Sequence, residues 1–340
     1  MRKKELDIAK GIGILLMVLL HMHFNETVVN YFLHGFLMRM FFIVSGILYK
    51  RRALGGTVKA RARTLLVPYC FFGVLYTGIT VVQALVSHDS GDTISSAVKK
   101  LFLFPTDNFQ IESALWFLPV MFISSVLYCL LDSFFKDRRL LTVASAVIGT
   151  AGYVLPKLIG VRLIWGLEPA FVGVLCIRIG ALIKEYDVIE KLYAFKTSRK
   201  LWFYAGLTVV TAGTAALIFV NDHNNMRLAK WGIFPLSFFN STVFGIIIII
   251  LSKIAAGIKS ADRNIIIRWL CRISVTSIVY VCINHPCIKV SKYVLGRAFG
   301  LAGVSSKYII YPVAFVFTLG MLFVISEIVY RTGLKKIFGR

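Results

Sequence analysis

Asp7-Ile-Ala-Lys10-Gly-Ile-Gly-Ile-Leu-Leu-Met-Val-Leu-Leu-His21 is the first strongly apolar stretch of the chain, and it carries polar residues in its interior. The spacing of Lys10 and His21 is close to three turns of α-helix, so both side chains are expected on one helix face, roughly 16 Å apart along the axis. Asp7 falls near the same face, where it can pair with Lys10. A cation and an imidazole are costly inside a membrane-spanning helix, so the pattern predicts a function for them.

Hydrophobic composition extends this pattern to the rest of the chain. The 340 residues are 58% hydrophobic, with a mean hydropathy of +0.77. The recurrent apolar runs predict an all-α integral membrane protein, a bundle of about ten transmembrane helices. The predicted spans are residues 7–24, 31–49, 65–87, 114–132, 140–156, 163–183, 201–220, 231–252, 264–284 and 308–330. No long polar stretch divides them, so residues 1–340 are predicted to form a single domain.

The net charge of +23 follows the predicted topology rather than a nucleic-acid partner. Most Lys and Arg residues fall in segments on the side of the basic N-terminus, which predicts that both termini are cytosolic. The start resembles a secretory signal, but it lacks a small-residue cleavage site and Lys10 and His21 interrupt its core, so we expect a retained helix. The six cysteines lack metal-ligand spacing, which predicts no metal site.

Further short motifs follow the first segment in order. They are Phe41-Phe-Ile-Val-Ser45-Gly46, Arg61-Ala-Arg63-Thr-Leu-Leu-Val-Pro68-Tyr69, Leu115-Trp116-Phe117-Leu118-Pro119, and Tyr280 followed by His285-Pro286. Together with the first segment, they resemble the acyltransferase-3 family of integral membrane acyltransferases, and most closely its fucose 4-O-acetylase-like branch. The resemblance covers essentially the whole chain.

The resemblance implies an O-acyltransferase with acetyl-CoA as the acyl donor and a hydroxyl of a cell-envelope or extracellular carbohydrate as the acceptor. It implies a multi-pass protein of the bacterial plasma membrane, whose partners are the lipid bilayer, the donor and the carbohydrate. The family's catalytic pair, a basic residue and a histidine eleven positions later on the first helix, falls on Lys10 and His21. Many members have arginine where this chain has Lys10, although an ammonium group still suits a phosphate partner.

The chemistry of acyl transfer agrees with a role for His21. A sugar hydroxyl needs a base to take its proton as it attacks a thioester, and an imidazole is suited to this near neutral pH. Two alternatives remain open: a His21 that becomes acylated itself, and a structural histidine bonded to a neighbouring helix. His23 is expected off the Lys10 face by about 200°, as an interfacial residue.

Arg61 and Arg63, together with Lys10, are predicted to bind the donor, because arginine is a favoured ligand for phosphate. The alternative for both arginines is anchoring at the cytosolic membrane surface. Lys50, Arg51, Arg52 and Lys59 are expected to be such topological or headgroup contacts.

Three residues are predicted to bind the acceptor, each with an open alternative. Arg39 could instead form an ion pair within the bundle, Trp116 could belong to an interfacial aromatic belt, and His285 could be a cap residue where the ninth helix ends facing outward. The residues expected to have structural or orienting roles are Asp7, Ser45 and Tyr280.

Arg178 is expected to form an ion pair, with Glu168 as a candidate partner.

Competing functions also follow from the buried charges. A transporter or exporter of a polysaccharide or other polar substrate would equally use intramembrane charges. A membrane sensor domain is a third class. No inverted repeat is visible, and the ordered motifs favour the enzyme. The sequence does not identify the sugar, separate acetyl from succinyl, or reveal the oligomeric state.

Overall fold

A computed structural model describes residues 3–22, 28–87, 91–103, 105–106, 114–221, 224–258, 260–301 and 306–339, and His23 lies outside these ranges. The fold of the described residues is all-helical and contains no β-strand. The α-helices are α1 (Lys4–His21), α2 (Val28–His34), α3 (Leu37–Ile47), α4 (Leu54–Arg61), α5 (Val67–Val86), α6 (Gly91–Phe102), α7 (Phe117–Phe134), α8 (Arg138–Ile159), α9 (Leu167–Glu185), α10 (Val188–Ser198), α11 (Lys200–Val220), α12 (Phe234–Ala256), α13 (Ile265–Leu301) and α14 (Lys307–Arg331).

Nine helical segments of the described chain are long and apolar enough to cross a membrane. Each corresponds to one predicted span, so the chain is a multi-pass membrane protein. The remaining predicted span corresponds to α1, which is not among the nine. Charged residues crowd its first turns, at Lys4, Glu5, Asp7 and Lys10. The predicted number of about ten therefore includes one helix, α1, that has four charged residues near its N-terminus.

Helix α13 is longer than predicted, since it runs to Leu301 instead of ending near residue 284. Pro286 lies inside it and has no N–H to donate to the carbonyl of Cys282, four residues earlier. The hydroxyl of Tyr76 on α5 donates to that carbonyl instead, at 2.7 Å. A contact from another helix thus satisfies the group that the proline leaves free, and α13 continues.

The segment from α4 to α5 is one continuous helix with a wider turn in its middle. Residues Ala62–Leu66 form a π-helix between Arg61 and Val67. Pro68 follows directly and cannot donate to the carbonyl of Thr64. Short π segments change the helical phase and are frequent at functional sites.

The backbones of α3 and α9 are in direct contact at two glycines. A Cβ atom on Gly46 would lie 2.0 Å from the carbonyl oxygen of Ile177, and one on Gly180 would lie 1.9 Å from that of Ile43. Small residues permit such close approach between membrane helices. The glycine of the Ser45-Gly46 motif therefore fixes the position of α3 in the bundle.

The beginning and the end of the described chain lie at the same end of the bundle. Lys4 forms an ion pair with Asp262 at 2.6 Å, just before α13. Lys4 and Arg331, at opposite ends of the chain, border one surface groove. The backbone of Gly339 packs against that of Arg63, in the π segment.

Candidate active site

A cavity of about 530 Å³ is enclosed by α1, α3, α7, α13 and the helix that contains the π segment. One face of α1 lines it with Lys10, Ile14, Met17 and His21. Their spacing of four, three and four residues is that of a single helix face. The structure therefore brings Lys10 and His21 to the same cavity.

One end of the cavity is strongly basic. Lys10, Lys50, Arg52 and Arg61 line it, and no carboxylate is found among the described residues of the lining. Lys50 and Arg52 are exposed, so the cavity opens to the surface at this end. Both were expected to be topological or headgroup contacts, and the structure places them at the open end of the cavity.

The two arginines of the Arg61-Ala-Arg63 motif lie in different environments. Arg61 lines the cavity, and its guanidinium donates to the hydroxyl of Ser45 at 3.4 Å. Arg63 is exposed and is not part of the lining. It lies inside the π segment, two residues further along, where the helix presents another face. The expectation that both arginines contact the donor therefore finds support in position only for Arg61.

Contacts with α7 and α9 anchor the Lys50–Arg52 segment. Tyr49 donates its hydroxyl to the Asp132 carboxylate at 2.9 Å, and Arg51 donates to the Asp132 carbonyl at 2.8 Å. Lys184 donates to the carbonyl of Tyr49 at 2.7 Å. Burial, and then the hydrogen bond to Asp132, raise the pKa of the Tyr49 phenol. The phenol therefore stays protonated, and the segment is held over the open end of the cavity.

A polar group of α7 that the sequence did not single out lies deep in the cavity wall. Phe117, Met121, Ser125 and Tyr128 line the cavity at helical spacing. The Ser125 side chain is 5% exposed, and its hydroxyl oxygen has no hydrogen-bond partner among the described residues. A buried hydroxyl of this kind is available to a polar ligand. Trp116, predicted to bind the acceptor, also lines the cavity.

A second histidine packs against His21 from behind the cavity wall. The imidazole rings of His21 and His285 are 4.7 Å apart between centroids, with an angle of 58° between their planes. His285 is 6% exposed and does not line the cavity. Because α13 continues past it, it is not the cap residue at an outward helix end that one alternative described. Tyr280, expected to orient the site, is completely buried outside the lining.

Arg39 lies outside this cavity, in a network of neutral groups. Its guanidinium donates to the hydroxyl of Ser241 at 2.7 Å, to the side-chain oxygen of Asn224 at 2.8 Å and to the carbonyl of Gly35. Burial of a charge is tolerated when its donors are satisfied in this way. The structure thus places Arg39 in neither predicted setting, since it is away from the cavity and its three acceptors are uncharged.

Arg178 forms the predicted ion pair, but with a different partner. It binds Glu185, seven residues later on α9, at 2.9 Å. Glu168 instead pairs with Arg162. The expected Glu168–Arg178 pair is wrong because the two residues are ten positions apart on α9, which separates them by about 15 Å along the helix axis. Asp7, expected to orient the site, accepts a hydrogen bond from Ser274 of α13 at 3.0 Å.

Comparison with known proteins gives a family for this arrangement. Neither the curated proteins nor the solved structures contain a match to the chain. The family model of the acyltransferase-3 acyltransferase domain matches residues 3–331, nearly the whole chain, which confirms the family resemblance without distinguishing its branches. The chain therefore belongs to the acyltransferase-3 family and is a multi-pass membrane acyltransferase.

Proposed function

We propose that the protein is an O-acetyltransferase of the bacterial plasma membrane that moves acetyl from acetyl-CoA to a hydroxyl of a cell-envelope or extracellular carbohydrate. The observation that carries this proposal is the single cavity that holds His21 and an open, basic end. The phosphates of the donor need basic residues around them, and the hydroxyl of the acceptor needs a base. A cavity with basic residues at one end and His21 at the other can serve both substrates. On the charge distribution of the chain, we place the basic end in the cytosol.

The basic end suits the phosphates of the donor. Lys10, Lys50, Arg52 and Arg61 surround it without a carboxylate among the described lining residues. Arginine binds phosphate through paired N–H groups, and lysine binds it as a point charge. The free hydroxyl of Ser125, deeper in the wall, can then bind an amide of the donor's flexible arm.

His21 then acts on the acceptor as the general base. Its imidazole takes the proton of the sugar hydroxyl while the oxygen attacks the thioester carbon, and the carbon–sulfur bond breaks. The imidazolium returns the proton to the departing CoA thiolate, so His21 ends the cycle neutral. In the alternative, His21 carries the acetyl group itself between donor and acceptor.

Transfer of labelled acetyl is the direct test of this function. Purified protein in proteoliposomes should move label from acetyl-CoA to an envelope glycan, and mass spectrometry should find the added acetyl group. A transporter would instead move its polar substrate across the same membrane without any acyl donor. Flux without donor, together with no labelled glycan, would contradict the proposal.

Arg61→Ala should weaken use of the donor. We expect the KM for acetyl-CoA to rise about 10- to 150-fold, because a charge-assisted contact is worth about 1.5–3 kcal/mol, while the KM for the acceptor changes little. Arg63→Ala is the matched control, since Arg63 is exposed, lies two residues away and does not line the cavity. Steady-state kinetics at two salt concentrations measure the effect. Equal changes in both variants would argue against donor binding by Arg61.

A further inference from the structure

His285 is held in a fixed position against His21. Their ring centroids are 4.7 Å apart, a distance at which aromatic rings are in contact. His285 is 6% exposed, and the Nδ1 atom of His21 is buried. The two imidazoles therefore form one packed unit, in which only His21 belongs to the cavity lining.

The helix that carries His285 is fixed to its neighbours at two points that precede this contact. A Cβ atom on Gly11 of α1 would lie 2.3 Å from the carbonyl oxygen of Leu270, so the backbones of α1 and α13 touch. Tyr76 binds the Cys282 carbonyl, which lies one turn before His285. The position of the His285 ring thus follows from helix packing on rigid elements.

The cavity wall places His285 beside the reacting region, not in it. Val281, one turn earlier on α13, lines the cavity, whereas His285 does not. A sugar bound in the cavity would therefore contact Val281 and His21, whereas the ring of His285 contacts the imidazole of His21.

We propose that His285 is a positioning residue, whose packed imidazole holds the imidazole of His21 in the orientation in which it takes the proton of the acceptor hydroxyl. The inference rests on the proposed role of His21 as general base. A general base is commonly oriented by a further group that contacts it. This assignment replaces the acceptor contact that the sequence indicated for His285.

Three substitutions test the proposal. His285→Phe keeps a buried ring and removes both nitrogens, and His285→Gln keeps a hydrogen-bonding group in place of the ring. His285→Ala removes both features. We expect His285→Phe and His285→Ala to lower kcat about 30-fold or more, with both KM values within about twofold of the native values, because a misplaced group can cost 10²-fold. His285→Gln should recover part of kcat.

Two results would overturn the proposal. Native kcat in His285→Phe would mean that the ring only fills space. A rise in the KM for the acceptor with kcat retained would mean that His285 touches the sugar. Stabilisation of each variant by acetyl-CoA in thermal unfolding shows that it is folded, and His285→Gln keeps the test valid if the alanine variant does not fold.

A double substitution separates this proposal from the function on which it rests. If His285 acts through His21, His285→Phe should lower the activity of His21→Ala no further. Full activity of His21→Ala would refute the base itself. An inactive His21→Ala beside a fully active His285→Phe would refute the positioning role alone.

Discussion

Replacement of His21 with alanine is expected to lower the rate of acetyl transfer by about 10³-fold, within the 10²–10⁴-fold that a positioned general base contributes. The hydroxyl then loses the imidazole that is proposed to take its proton. Single-turnover transfer from labelled acetyl-CoA to the glycan measures the rate without interference from product release. His34→Ala is the control, because His34 ends α2 and does not line the cavity.

Donor binding should survive the loss of His21. The basic residues that are expected to bind the phosphates line the other end of the cavity, so acetyl-CoA should stabilise the native and His21→Ala proteins equally in thermal unfolding. Normal transfer by His21→Ala would remove the imidazole from the mechanism.

Incubation with labelled donor alone separates the two roles left open for His21. A general base leaves the native protein unlabelled, because no bond forms to the imidazole. An acylated histidine would retain label until acceptor is added. We expect no retained label.

The membrane helices could be predicted from sequence because their signal is local. The predicted span 114–132 corresponds to the helical segment Ala114–Phe134, and the predicted span 201–220 corresponds to Lys200–Val220. An apolar run of this length has few other stable states. The same local reasoning placed Lys10 and His21 on one face, since helical spacing alone determines it.

Features that depend on distant partners could not be predicted in this way. The continuation of α13 past Pro286 depends on Tyr76, 206 residues away from the carbonyl it satisfies. The acceptors of Arg39 at Ser241 and Asn224 are 202 and 185 residues away. The sequence shows that a proline leaves a carbonyl without its helical donor and that a buried arginine needs acceptors. The groups that satisfy them come from distant parts of the chain.

The sequence also could not show which of the basic residues line the cavity. From the sequence, anchoring at the membrane surface explains each of these lysines and arginines equally well, and donor binding was predicted for Arg61 and Arg63 alike. The π segment decides between Arg61 and Arg63, and the anchoring of Tyr49 decides the position of Lys50. Phase changes of this kind have no clear sequence signature.

The close contact of α3 and α9 predicts a large effect on stability. Gly180→Ala should lower the free energy of unfolding by about 3 kcal/mol, at the upper end of overpacking costs, because the new Cβ atom would lie 1.9 Å from the Ile43 carbonyl oxygen. Backbone atoms cannot rotate away, so the two helices must separate. Chemical unfolding in detergent, followed by circular dichroism, measures the loss.

Gly206→Ala is the matched control, because Gly206 lies within α11 and a Cβ atom there has no neighbour within 4 Å. Alanine should be neutral or stabilise the helix there by about 0.5–1 kcal/mol. Equal stability of the two variants would mean that α3 and α9 do not touch at Gly180. Activity should fall with stability only in Gly180→Ala, because α3 carries Ser45 and α9 carries Ile177, and both residues line the cavity. Displacement of these helices changes the wall against which donor and acceptor must align.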